Sequence, residues 1–409
     1  MKKIVERREY LDKLLSYKDK DLIKVVSGLR RSGKSTLLEL FSRQLLQAGV
    51  SEAQVQLYNF ELPENFLGKT WSDIYFEIKS KAQSGATNYI FLDEIQNIPQ
   101  FEKLVDGLFA SQNMDIYVTG SNAYLLSGEL ATLLSGRYIE ISILPFSFAE
   151  YLMLREIDIS NRYLNYAAFF FDYVNESSLP RGAALRSEGF EKIYEYLNAI
   201  YATIVEKDIA QRYQIRDRRM FENVAKFAAS NIGNRLSPSS IAKSLKSDGQ
   251  NVHHATVEKF LDCLCESFVF YKVHRFDIKG KKQLVTQEKY YIADLGLLNV
   301  LVGRERTADR GHILENVVYL ELLRRGYKVW VGALRSGEVD FTVKNRAGEV
   351  EYFQVAWQLP DGNATEREFG SLEAIGDNYP KYLLTTESFP QTRNGIKHLN
   401  VFEWLLSKP

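Results

Sequence analysis

The amino-acid sequence predicts an α/β fold with a parallel sheet at its amino-terminal end, and three observations carry that prediction. An apolar run, Leu22-Ile-Lys-Val-Val26, leads through Gly28-Leu29-Arg30-Arg31-Ser32-Gly33-Lys34-Ser35-Thr36 into a helical pattern of Leu37, Leu38, Leu40, Phe41 and Leu45. A second apolar run, Tyr89-Ile-Phe-Leu, ends in two acids, Asp93 and Glu94. Further short apolar runs at 55–60, 115–119 and 139–143 alternate with helical stretches, as strands joined by crossover helices do. Ligands of such sheets collect beyond the carboxyl ends of the strands, so the glycine-containing turn and the acid pair are expected side by side.

The turn at 28–36 satisfies GxxxxGK[ST] in full and stands between a strand and a helix, the setting that makes this pattern a P-loop. Backbone N–H groups of a glycine-permitted turn and the positive end of the following helix meet the charge of a phosphate chain there. Gly28, Arg30, Arg31, Ser32, Gly33, Lys34, Ser35 and Thr36 are the candidate nucleotide contacts. Lys34 is expected on the β and γ phosphates, and Ser35 on Mg²⁺. Arg30 and Arg31 add positive charge near the phosphates, or else are solvated or paired with an acid. Asp93 is placed to hold Mg²⁺ through its water shell, and Glu94 to orient and deprotonate a water for attack on the γ-phosphate. A water-activating glutamate favours hydrolysis over transfer to a bound acceptor, which speaks against a small-molecule kinase. No Asn-Lys-x-Asp guanine-reading motif is present, so ATP is the expected nucleotide.

Two more segments belong to the same core. The run at 115–119 delivers Gly120-Ser121-Asn122 to the strand ends, where Ser121 or Asn122 senses the γ-phosphate or positions the water; the alternative is a capped helix start. Leu134-Ser-Gly-Arg137-Tyr precedes the last strand, and Arg137 is either a transition-state arginine, acting in cis or from a neighbouring subunit, or a structural one. Residues 1–21 read as an entry helix with Tyr10, Leu11, Leu14 and Leu15 on its apolar side.

Composition bounds the rest. A chain of 409 residues with 45% apolar content is expected to form two or three cores. Lys plus Arg and Asp plus Glu both number 52, so any attraction to nucleic acid is local rather than global. The start lacks the apolar stretch of a signal peptide, and the aromatic run at 166–174 is too short to span a bilayer, so a cytoplasmic protein with no membrane partner is expected. Cys263 and Cys265, two apart on a predicted helix, read as reduced core residues.

The motifs at 28–36, 91–94, 119–122, 136–138 and 144–150 resemble those of prokaryotic AAA-type ATPases in which a Gly-x-Arg-Arg-x-Gly-Lys-Ser/Thr P-loop precedes a winged helix and a carboxyl-terminal domain like a degenerate PD-(D/E)XK nuclease. The resemblance covers nearly the whole chain. It implies a P-loop NTPase core at 1–150, a helical lid at 151–218, a winged helix at 219–303 and a small restriction-nuclease-like α/β domain at 304–409. In the lid, the family's glycine-rich turn with a proline is matched here only by Ser177-Ser-Leu-Pro180-Arg181, with Arg181 a second nucleotide sensor.

From 221 onward three short helices and a hairpin, 270–275 with 283–286, have the order of a winged helix, with Lys279-Gly-Lys-Lys282 in its wing. From Pro238 to Lys289 nine Lys or Arg face six Asp or Glu, a mild excess that permits DNA as a partner; winged helices also serve as protein contacts. In the last hundred residues, Glu315 on a helix and Asp340 on a strand fit a metal-nuclease arrangement, whereas Gln354 and Ala356 stand where an acid and a lysine are needed. The expectation is a retained fold with a dismantled site. The expected activity is Mg²⁺-dependent ATP hydrolysis coupled to binding of DNA or a protein; the alternatives are a nucleotide-gated regulator or scaffold with little turnover, and an ATP-dependent nuclease.

Overall fold

A computed structural model of the chain describes residues 4–123, 136–159, 161, 164–303, 310–335, 337–359 and 362–407, and only the backbone of 285 and 286. Leu134 and Ser135 lie outside the described residues. The chain forms two compact units: Met1–Pro145 with Glu266–Phe268, and Phe146–Cys265 with Val269–Pro409.

The first unit holds the five strands expected. They are β1 (Ile23–Ser27), β2 (Val55–Asn59), β3 (Asn88–Asp93), β4 (Met114–Gly120) and β5 (Tyr138–Ser142), all parallel in the order β2-β3-β4-β1-β5. Every residue of β1 and β3 is buried, which explains their continuous apolar runs, because helices cover both faces of the sheet. One face packs Ile23, Val25, Ile90, Leu92, Ile116 and Val118 with Ile74, Ile78, Leu104 and Leu108. The other packs Val26, Phe91 and Tyr117 against α1 (Arg8–Ser16) and α2 (Lys34–Gln47), with the Phe91 and Tyr117 rings stacked at 4.8 Å. Tyr10, Leu11 and Leu14 of α1 are buried, but Leu15, expected beside them, is exposed.

The second unit opens with helices, including Ile193–Thr203, which runs into a π-helical stretch at 204–210. Three helices follow, Arg218–Ser230, Pro238–Ser247 and His254–Glu266. Its strands are β6 (Arg235–Leu236), β7 (Phe270–Asp277), β8 (Lys282–Ile292), β9 (Lys328–Leu334), β10 (Gly337–Lys344), β11 (Val350–Val355), β12 (Lys381–Thr385) and β13 (Lys397–Asn400). They form one eight-stranded sheet, ordered β13-β12-β11-β10-β9-β7-β8-β6. The boundary expected between 303 and 304 therefore cuts through a sheet. Arg275, Phe276 and Asp277 of the β7–β8 hairpin pair in parallel with Val331, Gly332 and Ala333 of β9, and Ile278 at its turn joins the core of Val339, Tyr352 and Leu383. Among the described residues no helix is long and apolar enough to cross a membrane.

Candidate nucleotide site

β1 lies between β4 and β5, and the chain leaves its carboxyl end at Gly28. Glycine is required there: at φ +146° its position would bring a Cβ within 2.3 Å of the Ile143 carbonyl oxygen. Arg31 (φ +69°) and Gly33 (φ +101°) are also left-handed, and Arg31 carries strain of roughly 1–3 kcal/mol that the surrounding loop must impose. The turn closes on the Lys34 ammonium. Its Nζ donates to the carbonyls of Gly28 (3.1 Å) and Leu29 (3.3 Å) and stands 3.5 Å from Glu94 Oε1, with Lys34 itself 3% exposed. Ser32 is fully buried in this turn, and its Oγ has no hydrogen-bond partner among the described residues.

Asp93 ends β3, and Glu94 follows in a left-handed conformation at φ +53°. Both are 6% exposed. The Ser35 hydroxyl hydrogen-bonds Asp93, so the serine and aspartate singled out for the metal meet. Thr119, at the end of β4, bonds both acids: its Oγ1 donates to Asp93 Oδ1 (2.5 Å) and accepts from the Glu94 N–H (2.8 Å). Gln96 Nε2 donates to Glu94 Oε2 at 2.5 Å and lies 3.4 Å from Ser121 Oγ. Ser121 and Asn122 are each 1% exposed beyond β4. Thr119 opens the motif at 119–122 but carries no role of its own in the sequence reading; Gln96 is not singled out there, and nothing marks it.

The two adjacent acids titrate in opposite directions. Burial pushes the Asp93 carboxyl up, and the hydrogen bonds from Thr119 and Ser35 offset this only in part. Burial also opposes ionisation of Glu94, but the charges of Lys34 and then Arg30 outweigh it and hold Glu94 below its ordinary value. Arg30 itself pairs with Glu61 at 3.0 Å, which realises the acidic-partner alternative while keeping its charge at the site. Arg31 and Thr36 are exposed.

Arg137 is not brought to this site. It precedes β5, whose Tyr138 is level with Ile23 at the amino end of β1, and its carbonyl accepts from the Ile23 N–H. A five-residue strand, about 16 Å long, separates that level from the P-loop at the other end of the sheet. The Arg137 guanidinium pairs with Asp106 (3.1 Å) and lies over the Phe109 ring. An action in cis is thus ruled out by strand direction.

In the second unit, Ser177 and Ser178, expected in the lid turn, are committed elsewhere. Ser177 Oγ, Ser178 N–H and Ser178 Oγ all donate to the buried carboxylate of Asp294. Arg181 pairs with Glu188 at 3.0 Å. The metal-nuclease residues do converge, with additions that the sequence did not disclose. Lys289 of β8 puts its ammonium 2.9 Å from Glu315, 2.9 Å from Glu338 and 3.7 Å from Asp340, and Glu368 accepts from Gln354 Nε2 at 2.8 Å. Tyr291 Oη also bonds Glu315. An acid thus stands beside Gln354 and a lysine among the acids, but the lysine fills their centre. Among the described residues no three His, Cys, Asp or Glu side chains are grouped so as to hold a metal ion.

A parallel sheet with a P-loop after β1 and an Asp-Glu pair after β3 defines a P-loop nucleotide-binding protein. The chain belongs to the AAA-type P-loop ATPase family. Residues 20–152 match the family model of an AAA domain, and 177–308 match a domain of unknown function. An uncharacterized protein of Haemophilus influenzae is 40% identical over 407 residues, 99% of each chain. Another, of Methanocaldococcus jannaschii, is 28% identical over 87% of this chain and 79% of that one. Among solved structures, the Walker-type ATPase of Pyrococcus abyssi aligns with a TM-score of 0.48 at 17% identity, over 73% of this chain and 96% of that one. The Aeropyrum pernix Orc1 protein in complex with DNA aligns with a TM-score of 0.31 at 14% identity, over 74% and 93%.

Proposed function

We propose that the first unit binds and hydrolyses ATP with Mg²⁺, and that nucleotide state governs binding of a partner, DNA or protein, by the second unit. The observation that carries this reading is the convergence of Lys34, Ser35, Asp93 and Glu94 at the carboxyl ends of β1 and β3. The P-loop already wraps a cation, the Lys34 ammonium, held by the carbonyls of Gly28 and Leu29 and by the charge of Glu94; a phosphate chain offers it several charged acceptors at once. Ser35 and Asp93 supply hard oxygen donors suited to Mg²⁺, which would shield charge on the phosphate oxygens.

Glu94 is ionised and fixed by Gln96, so it is a base able to take a proton from the attacking water. As the water oxygen bonds to the γ-phosphorus, the bond to the bridging oxygen breaks and ADP leaves with its electron pair. Thr119 holds Asp93 and Glu94 in one register throughout. Ser121 and Asn122, buried beyond the adjacent strand, sense the γ-phosphate. Lys34→Ala is expected to abolish ATP binding, whereas Glu94→Gln leaves binding intact and lowers turnover by at least about 100-fold, since only the second acts in the chemical step. Nucleotide titration and phosphate release check both. Equal turnover by wild type and Glu94→Gln would remove Glu94 from the mechanism.

For the second unit, the exposed lysines of the β7–β8 turn favour DNA over protein as partner. Nucleic-acid cleavage is not proposed, because Lys289 occupies the space among Glu315, Glu338 and Asp340.

A further inference from the structure

Arg7 precedes the P-loop by more than twenty residues, yet its side chain ends on it. It stands immediately before α1, whose first N–H groups bond the Arg7 carbonyl: Tyr10 at 3.0 Å and Leu11 at 3.1 Å. The guanidinium is buried, with Arg7 4% exposed, and forks between two segments. Nη1 donates to the carbonyl of Ser32 at 3.1 Å, and Nη2 to those of Leu144 (2.9 Å) and Pro145 (3.4 Å). The Tyr10 ring lies under it at 4.5 Å, and Tyr10 Oη accepts from the Leu144 N–H. A rigid planar fork, flanked by a ring and by the end of β5, thus fixes one carbonyl in the middle of the P-loop.

That carbonyl belongs to the peptide joining Ser32 to Gly33. A trans peptide is planar, with its C=O and N–H pointing in opposite directions. Pulling the Ser32 oxygen to Arg7 therefore turns the Gly33 N–H away from the guanidinium. The left-handed Gly33 lets this plane rotate, and Ser32 Oγ, without a partner among the described residues, does nothing to hold it. We propose that Arg7 is a positioning residue for nucleotide binding: it aims the Gly33 N–H at the β-phosphate of ATP or ADP without touching the nucleotide. This rests on the nucleotide-binding reading of the P-loop and extends it to a residue outside the motif.

The test titrates ATP, ADP and AMP against wild type, Arg7→Ala and Arg7→Lys, with thermal unfolding without nucleotide as the control for folding. Arg7→Ala is expected to weaken ATP and ADP by about 10- to 100-fold, the loss of one charge-assisted anchor, and to leave the AMP response unchanged because AMP has no β-phosphate. Single-turnover hydrolysis at saturating ATP should stay within about threefold of wild type, since the chemical step belongs to Glu94. Millimolar guanidinium should restore ATP affinity to Arg7→Ala and not to Lys34→Ala, which a merely structural role would not produce. Should Arg7→Ala not fold, Arg7→Lys, which loses the fork but keeps the charge, is expected to show the same selective loss. A folded Arg7→Ala or Arg7→Lys with wild-type affinity for ADP overturns the proposal and leaves the ATPase reading standing. A wild type that binds neither ATP nor ADP overturns both.

Discussion

Asp340 shows what a buried carboxyl costs when its surroundings are acidic. Burial pushes its carboxyl well above the ordinary value, the charge of Glu315 adds to this, and Lys289 offsets it only in part. An acid whose folded value is raised binds its proton more tightly when folded, so the stability it contributes is present at low pH and lost as pH rises through the folded value. Replacing Asp340 with Asn keeps an oxygen for the Val355 N–H, which Asp340 Oδ2 accepts at 2.9 Å, and removes the titration. Asp340→Asn is therefore expected to be more stable than wild type at pH 8, by about 1.4 kcal/mol for each unit separating the folded and unfolded values, and the gain should vanish toward pH 4. Urea unfolding of the two proteins across that range measures it. A loss of stability at pH 8 would mean that the ionised Asp340–Lys289 attraction outweighs burial.

Individual residues also show what was legible beforehand. Lys34, Ser35, Asp93 and Glu94 declared themselves because their chemistry needs those residue types at fixed spacing after a strand. Arg7 did not, because its acceptors are main-chain carbonyls 25, 137 and 138 positions away, and every residue carries a carbonyl. Lys24 is the one charged residue of the apolar run at 22–26. It is fully buried, 2.5 Å from Asp115, and only the parallel pairing of β1 with β4 makes that partner available.

At the scale of elements, β1 and β3 of the first unit were readable because crossover helices force continuous apolar runs, and continuous runs stand out; the edge strands β2 and β5 mix polar with apolar residues. The second sheet was read only in pieces. The β7–β8 hairpin was recognisable from its turn, and the three helices before it from their periodicity. Its parallel pairing with β9 left no mark in sequence, since parallel partners need no common turn. That pairing makes the hairpin an interior part of a sheet, not a free-standing wing, and it delivers Lys289 of β8 to Glu315 and Glu338. Its turn is still exposed: Lys279, Lys281 and Lys282 all face solvent, and the Asp277 carboxylate fixes the turn by accepting from the Gly280 N–H at 2.9 Å. If this turn meets a nucleic-acid backbone, binding of the full chain to duplex DNA weakens with salt through counterion release. Changing the three lysines to Ala is then expected to reduce the slope of log affinity against log salt by about 2–3, with little change in sequence preference. Fluorescence anisotropy at several salt concentrations reads both quantities. An unchanged slope would move the DNA contact off this turn, and salt-independent or absent binding would leave a protein as the partner.

At the scale of the whole molecule, the direction of the sheet decides where the last candidate of the active site can work. Parallel strands place the candidate nucleotide contacts at one end of the first unit, and Arg137 at the other. The fork of Arg137 is 52% exposed, held by Asp106 and Phe109, and so is available to a second copy of the chain. If Arg137 is a transition-state arginine, at this place it would act on a neighbour's γ-phosphate, and its own subunit's hydrolysis would depend on another Arg137. Arg137→Ala is expected to lower turnover by about 1,000-fold or more with ATP affinity unchanged. Each of Arg137→Ala and Glu94→Gln is then inactive alone, but a mixture contains interfaces that join an intact Glu94 site to an intact Arg137, and activity returns. Size-exclusion chromatography with ATP should show an assembly larger than the monomer for the same mixture. A mixture as inactive as its parts, or full turnover by Arg137→Ala, assigns the residue to its ion pair with Asp106 and leaves catalysis to the single subunit.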